Sequence, residues 1–386
     1  MKHYHFFTYS MNNQAISEHL KKTFERHFQE GLEQGASLAL YHRGENIMSL
    51  HAGWRDLKGQ EPWTQDTLAP VWSAGKGVAS ACLLHALQEQ HISIDTRVAT
   101  LWPEFAQAGK ETITIVQLLS HRSGLAALDQ KGLALTDHSA VVEALAAQPP
   151  NWIYDGSHGY GPRTFGFLID ELLRRLTDGE PLSLYWRRVF GIPLGLDLWF
   201  GLPQAELART ATLIPPHGTP PPSAFGRAYS DHTSLTRRAF MEPGGGFQMT
   251  AMNQPALRQA AIISSGAIAT ADALARFYSI LAIQHNNPFF HATTRQLMET
   301  PMTSGQDRVF MEDTVFSAGC MLSGTYGIMG PGARNFGHPG AGGALAFADP
   351  EREWGFAYVP NKMHHGILTS LRTQRLVNAL YFGVTT

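Results

Sequence analysis

The sequence predicts an α+β protein with one antiparallel sheet assembled from both ends of the chain, flanked by terminal helices, and a mainly helical segment inserted between the halves. Three observations lead there. Strand-like apolar runs stand near the two ends: ASLALYH and IMSLHAG within residues 36–53, GGALAFAD and EWGFAYVPN within residues 342–361. Neither end holds enough strands for a stable sheet alone, so the two are expected to share one. Between them the chain turns to helices and Pro- and Gly-rich loops. A length of 386 residues suits one large two-lobed unit or two domains. The expected division sets residues 1–70 with 260–386, as the sheet domain, against a helical, loop-rich 71–259, with a site in the cleft between them.

Each element has its own signal. Ile16, Leu20, Phe24, Phe28 and Leu32 recur every four residues among charged ones, the stripe of an amphipathic helix stopped near Gly31 or Gly35. ASLALYH and IMSLHAG around RGEN read as a hairpin with a four-residue break. Residues 73 to about 90 read as a helix. In TITIVQLLSHRSGL, Thr114 is a plausible N-cap of a short helix and Gly124 lies beyond its end. IPPHGTPPPSAFGR (214–227) and EPGGGFQMT (242–250) read as surface loops over a cleft. TADALARFYSIL returns to helix with Thr270 as N-cap. GGALAFAD and EWGFAYVPN form a strand pair turning at DPER, and GILTSLRTQRLVNALYFG is a helix packed on them.

Composition excludes several classes. Thirty Lys plus Arg against 32 Asp plus Glu give a formal charge of −2, so nothing points to a nucleic-acid or polybasic membrane partner. Cys82 and Cys320 are too far apart in sequence for a redox or zinc motif and are expected to be buried free thiols. The N-terminal MKHYHFFTYSMNNQ has no apolar leader-like stretch, and no apolar run has the length of a membrane span. A cytoplasmic protein is expected. No H-E-x-x-H occurs, His364–His365 reads as a solvated turn, and neither metal nor cofactor is expected.

The chemistry centres on VWSAGKGVAS, residues 71–80. Ser73 and Lys76 stand three apart, hence on one helical face. A serine hydroxyl needs a base, and a solvated Lys is protonated. Burial and the positive end of a helix both lower a lysine's pKa. The flanks Leu68, Val71, Trp72, Val78, Ala79 and Ala81 are apolar, and no other serine in the chain has a lysine three residues on. Gly75 costs about 1 kcal/mol against alanine in a helix, which points to close packing.

Five stretches in order resemble the serine β-lactamase and penicillin-binding protein superfamily, closest to its class C-like, family VIII carboxylesterases: DTLAPVWSAGKGVASACLLHAL, TITIVQLLSHRSGL, HGYGPRTFGFLIDELLRRLTDG, SSGAIATADALARFY and FGHPGAGGALAFADPE. The resemblance implies a β-lactamase/D,D-peptidase-like fold. It also implies a catalytic Ser73 and Lys76, with a tyrosine that shuttles protons. Tyr160 in HGYGP is the better match and Tyr154 the competitor. A neighbouring ammonium is expected to lower the phenol's pKa. The backbone N–H groups of Ser73 and Ala341 would form the oxyanion hole. Trp72, His338, Gly340, Gly342 and Gly343 would contact substrate, the glycines allowing close approach to a ligand.

Departures from the family pattern bear on substrate. Pro162 stands where β-lactam enzymes place an amide-binding Asn, and His338–Pro339 replace a Lys–Thr pair that holds the substrate carboxylate. Recognition of acidic amides is weakened while acyl transfer is retained. The expected function is therefore a carboxylesterase acting on short-chain acyl esters through a Ser73 acyl-enzyme. The other readings are a β-lactamase or D,D-peptidase, β-lactam turnover as a weak side activity, an acyltransferase, and a non-catalytic ligand-binding member. The partner is a small-molecule ester, and a homodimer is left open.

Overall fold

The structure, a computed structural model, describes residues 4–246, 248–324, 327–366 and 368–382, with side chains of the first helix from residue 14. The first three residues of the N-terminal stretch, Phe247 of the second loop, and Ile367 and Gly383 of the last predicted segment lie outside the described residues.

Eleven described strands form two sheets. Those before the final third are β1 (Gly35–His42), β2 (Glu45–Gly53), β3 (Ala69–Pro70) and β4 (Leu198–Phe200). They are followed by β5 (Ala267–Ala269), β6 (Thr303–Gln306), β7 (Asp313–Phe316), β8 (Met321–Leu322), β9 (Phe336–Pro339), β10 (Leu345–Asp349) and β11 (Trp354–Pro360). The large sheet is antiparallel with order β2-β1-β11-β10-β9-β8-β7-β6, so the N-terminal hairpin docks on the C-terminal one. The β1–β2 turn is tighter than expected. Its two residues, Arg43 and Gly44, both have positive φ (51° and 84°), as a two-residue hairpin turn demands.

Both faces of this sheet are covered. Leu38 and Leu40 of β1 face one core with Phe347, Phe356 and Tyr358. The helices Tyr4–Gln29 and Leu371–Leu380 close it with Ile16, Leu20, Phe24, Leu376 and Val377. On the opposite face Ala39, Ala346 and Ala357 meet Leu274, Phe277 and Tyr278 of the helix Ala271–Leu281, capped by the Thr270 hydroxyl. Small residues on that face let the helix lie close. With two covered faces, all seven residues of β11 are buried, and each large apolar side chain so buried contributes about 1.5–3 kcal/mol. Strands β6–β8 escape sequence reading for a physical reason. TSGQ is largely exposed, and Met321–Leu322 is too short to show a period.

The small sheet, β3-β5-β4, joins three distant segments. Cys82 and Cys320 are free and buried. His364 and His365 are half-buried rather than solvated; His365 Nε2 donates to the Gly218 carbonyl at 2.9 Å. Among the described residues no helix is long and apolar enough to cross a membrane.

Candidate active site

Ser73 does not begin a regular α-helix. It lies in a 3₁₀ turn, Trp72–Gly75, and the α-helix Lys76–Glu89 starts after it. In a 3₁₀ turn residues three apart eclipse, which sets the Lys76 amine over Ser73. The entry is strained. Trp72 has φ +53°, rare for a bulky residue. Two attachments hold it. The Val71 N–H donates to the Ala267 carbonyl at 2.9 Å, and Ala69–Pro70 pair with Ala269–Ile268. Gly75 is required by the same contact, because a Cβ there would lie 2.3 Å from the Ala267 Cβ.

Lys76 is 1% exposed. Its Nζ lies 3.1 Å from Ser73 Oγ, 2.7 Å from the Ser264 carbonyl and 3.2 Å from the Pro162 carbonyl. Burial drives its pKa well below that of a free lysine. A neutral amine has two N–H donors and one lone pair. In that form the two carbonyls would take both donors and leave the lone pair for the Ser73 hydroxyl.

Tyr160 brings its hydroxyl to 2.8 Å from Ser73 Oγ, while Tyr154 is 52% exposed. The expected lowering of the phenol's pKa is not found. Burial raises it, with the nearby Asp307 carboxylate adding to the rise and the hydrogen bond to Ser73 opposing it, because a phenolate taken out of water loses its hydration.

Three residues that sequence reasoning passed over hold the site together, two of them at this tyrosine. The His121 carbonyl accepts the Gly159 N–H at 3.0 Å, and His121 Nδ1 accepts the Gly161 N–H at 3.2 Å. Between them the Tyr160 N–H points at both carboxylate oxygens of Asp307, 3.1 Å each. Asp307 also accepts the N–H groups of Val309 and Phe310, and the Phe310 ring stacks on Tyr160 at 4.4 Å. Burial pushes the Asp307 carboxyl up to about 6, opposed by those hydrogen bonds. The third is Ser264, whose hydroxyl joins the Arg163 carbonyl and the Gly166 N–H at 2.6 Å each. His121 and Ser264 stand in LLSHRSGL and SSGAIAT, so a signal existed for both. Asp307 stands in no motif.

Strand β9 delivers Gly340 against the Val71 carbonyl, where a Cβ would come within 2.1 Å. Ala341 follows on the wall of a cavity of about 1280 Å³ that Ser73 and Trp72 also line. Neither the Ser73 nor the Ala341 N–H has an acceptor among the described residues. Pro220–Pro222 and Met249, from the two predicted loops, shape the far wall.

The other expected contacts are not on that wall. Gly342 and Gly343 make room for the chain itself, since a Cβ on either would strike Met363 or His364. His338 is buried behind Tyr160, ring centroids 5.5 Å apart. Its Nδ1 donates to the Pro339 carbonyl, which leaves Nε2 without a proton, and burial holds its pKa down to about 3. A neutral imidazole so placed cannot anchor a carboxylate. Among the described residues no cluster of three or more His, Cys, Asp or Glu is arranged to hold a metal ion.

Known proteins share this architecture. The chain is 31% identical over 344 residues to the esterase/beta-lactamase LipL of Mycobacterium tuberculosis, covering 85% of this chain and 77% of that protein. It superposes with TM-score 0.85 and 34% identity on a penicillin-binding protein homolog from Caulobacter crescentus, covering 95% of this chain and 97% of that one. A family VIII carboxylesterase matches with the same TM-score, at 28% identity and the same coverage. The Beta-lactamase family model matches residues 24–379, so the chain belongs to the Beta-lactamase family, within the serine β-lactamase and penicillin-binding protein superfamily.

Proposed function

We propose that the protein hydrolyses carboxylic esters through an acyl-enzyme on Ser73. It is a serine hydrolase of the β-lactamase fold, a statement supported by relatives named as esterases and carboxylesterases. One observation carries the finer reading. Ser73 Oγ lies at once 3.1 Å from a buried amine and 2.8 Å from a phenol, on the wall of a cavity.

The cycle runs as follows. Neutral Lys76 takes the hydroxyl proton as Ser73 Oγ bonds to the ester carbonyl carbon. The carbonyl oxygen becomes an oxyanion and accepts the N–H groups of Ser73 and Ala341. The oxyanion collapses and the carbon–oxygen bond to the alcohol breaks. The leaving oxygen takes the Tyr160 proton while Lys76 returns one to Tyr160. Water then attacks the acyl carbon, its proton passing through the Tyr160 hydroxyl to Lys76. Collapse of the second oxyanion releases the acid and restores the Ser73 hydroxyl with the proton held by Lys76. A phenol pushed upward stays protonated, so Tyr160 relays and Lys76 is the base.

The reading extends to a cytoplasmic protein acting on a diffusing ester, with the site between the lobe of residues 1–70 and 260–386 and that of 71–259. Pro162 and the buried, neutral His338 favour esters over β-lactams. The relative named as both esterase and beta-lactamase keeps slow cephalosporin turnover as a second reading. The test is labelling with a fluorophosphonate followed by peptide mass mapping. Modification of Ser73, absent in Ser73→Ala, is expected; folded protein that stays unlabelled would sink the proposal. Faster turnover of a chromogenic cephalosporin than of a p-nitrophenyl ester would select the second reading.

A further inference from the structure

The cavity onto which Ser73 opens is larger than a short ester needs. Its volume of about 1280 Å³ exceeds the roughly 300–1,000 Å³ common for small-molecule sites. Its wall is apolar in a specific way. Phe225 stacks on Tyr229 and both meet Phe240 edge to face, with centroids 5.3–6.0 Å apart, yet each is only half-buried and lines the cavity. Met249, Met252 and Met363 complete it with flexible, polarizable side chains that adapt to a ligand. The helix Ala224–Ser230, which carries two of the aromatics, has no fully buried residue. Its apolar face is turned to the cavity rather than into a core.

The polar groups nearby are mostly engaged. The Arg163 guanidinium donates to the Pro243 and Gly245 carbonyls at 2.7 and 2.6 Å, and His365 Nε2 to the Gly218 carbonyl. Two charged groups of opposite sign also line the cavity, Arg227, which is exposed to solvent, and the half-buried Glu312, so these two add no net charge to the wall. Lys76, at the base, is buried, which disfavours its charged form. A short acyl ester would leave most of the aromatic and methionine wall wet. A ligand that covers it gains the transfer free energy of its own apolar surface and of the wall.

We propose that the ester hydrolysed at Ser73 carries a large, neutral, apolar group, a medium or long hydrocarbon chain or a ring system of that size, in place of the short-chain ester expected from the sequence. The proposal rests on the ester-hydrolase reading, and it concerns only what fills the cavity. The apolar group belongs to either the acyl or the alcohol side, and the experiment separates the two.

Initial rates are measured below the critical micelle concentration on two series. One is p-nitrophenyl acetate, butyrate, hexanoate and octanoate. The other is ethyl, butyl, octyl and decyl acetate. Each buried methylene is worth roughly fourfold in affinity. At least one series should therefore rise by about tenfold or more in kcat/KM from its shortest to its longest member, chiefly through KM. A rise in the first places the group on the acyl side, and a rise in the second on the alcohol side. In Met249→Trp, which fills part of the cavity, the ratio of longest to shortest substrate should fall in the series that rose. Two flat or falling series overturn the proposal.

Ser73→Ala separates this proposal from the reading beneath it. N-phenyl-1-naphthylamine should brighten on binding this variant and be displaced by decyl acetate. If the wild-type protein hydrolyses no ester but the probe binds and is displaced, the ester-hydrolase reading fails and the apolar site stands. If the probe does not bind, the apolar site is overturned.

Discussion

The Lys76 amine lies 2.7 Å from the carbonyl oxygen of Ser264, 188 residues further along the chain. With the Pro162 carbonyl at 3.2 Å, this contact would use the two N–H groups of a neutral amine and leave its lone pair for Ser73. No carboxylate hydrogen-bonds or pairs with Lys76 among the described residues. A buried ammonium without a counter-charge would be costly, so the proton is the group that leaves. Lys76→Ala should lower kcat by about 10³–10⁴-fold or more, and Tyr160→Phe by about 10²–10³-fold, with KM little changed. Wild-type activity should fall as pH drops through the pKa of Lys76, because protonation occupies the lone pair. Steady-state kinetics against pH checks all three, and a Lys76→Ala variant that kept its rate would break the mechanism.

Ala341 offers a test of the oxyanion N–H that leaves the side chains alone. It is the first residue of a 3₁₀ turn, where proline is tolerated, and Gly340 before it is extended at φ −110°, ψ 150°, as a residue preceding proline must be. Ala341→Pro removes one donor and little else. It should lower kcat by about 10²–10³-fold with the melting temperature nearly unchanged.

Close approach of Gly75 to Ala267 makes a reciprocal pair. Gly75→Ala forces a methyl to within 2.3 Å of another and should destabilise by about 1–3 kcal/mol. It should also displace Ser73 and lower the rate. Adding Ala267→Gly restores the space, so the double variant should recover most of both losses in urea titration and in kcat. Additive losses would show that the contact is not the cause.

Asp307 is 0% exposed and accepts three backbone N–H groups. Asp307→Ala strands those donors, each worth about 1–3 kcal/mol when left unsatisfied. The variant should be destabilised by several kcal/mol. Asp307→Asn keeps one acceptor oxygen and should lie between. In that variant kcat should fall more than KM changes, because Tyr160 loses its hold while the cavity wall is untouched.

Stability should rise with pH between about 4.5 and 6.5. Burial lowers His27, His158 and His364 to about 4, His338 to about 3, and His121 well below its usual value. A histidine whose folded pKa is depressed binds fewer protons folded than unfolded, so its stabilisation grows as pH rises toward the unfolded value. Glu33 and Asp307 act oppositely. Burial raises them to about 7 and about 6, so their contribution is full at low pH and lost on the way up. Burial lowers His42 and His85 as well, so seven histidines outweigh two carboxyls, and each proton of difference is worth about 1.4 kcal/mol per pH unit. Melting temperatures measured from pH 4.5 to 6.5 should climb, and a fall would show that the two carboxyls outweigh the histidines.

Much of the architecture was legible in local pattern. The four-residue stripe of Ile16, Leu20 and Phe24, the Thr114 and Thr270 caps, and the apolar runs of β1, β2, β10 and β11 are carried by neighbouring residues. The same holds for Ser73 and Lys76, three apart on one turn. What tertiary structure alone decided is long-range. The eight-stranded order, the strained Trp72 held by Ala267, and the choice of Tyr160 over Tyr154 near Ser73 depend on segments that meet only after folding. So does the charge state of the site. A lysine or a tyrosine has one pKa in water, and burial moves each by an amount set by which carbonyls, carboxylates and rings surround it. The sequence names the nucleophile's neighbour three residues away, but the burial of that lysine rests on Pro162 and on Ser264, 188 residues beyond it, and the setting of Tyr160 on Asp307, 147 residues beyond the tyrosine.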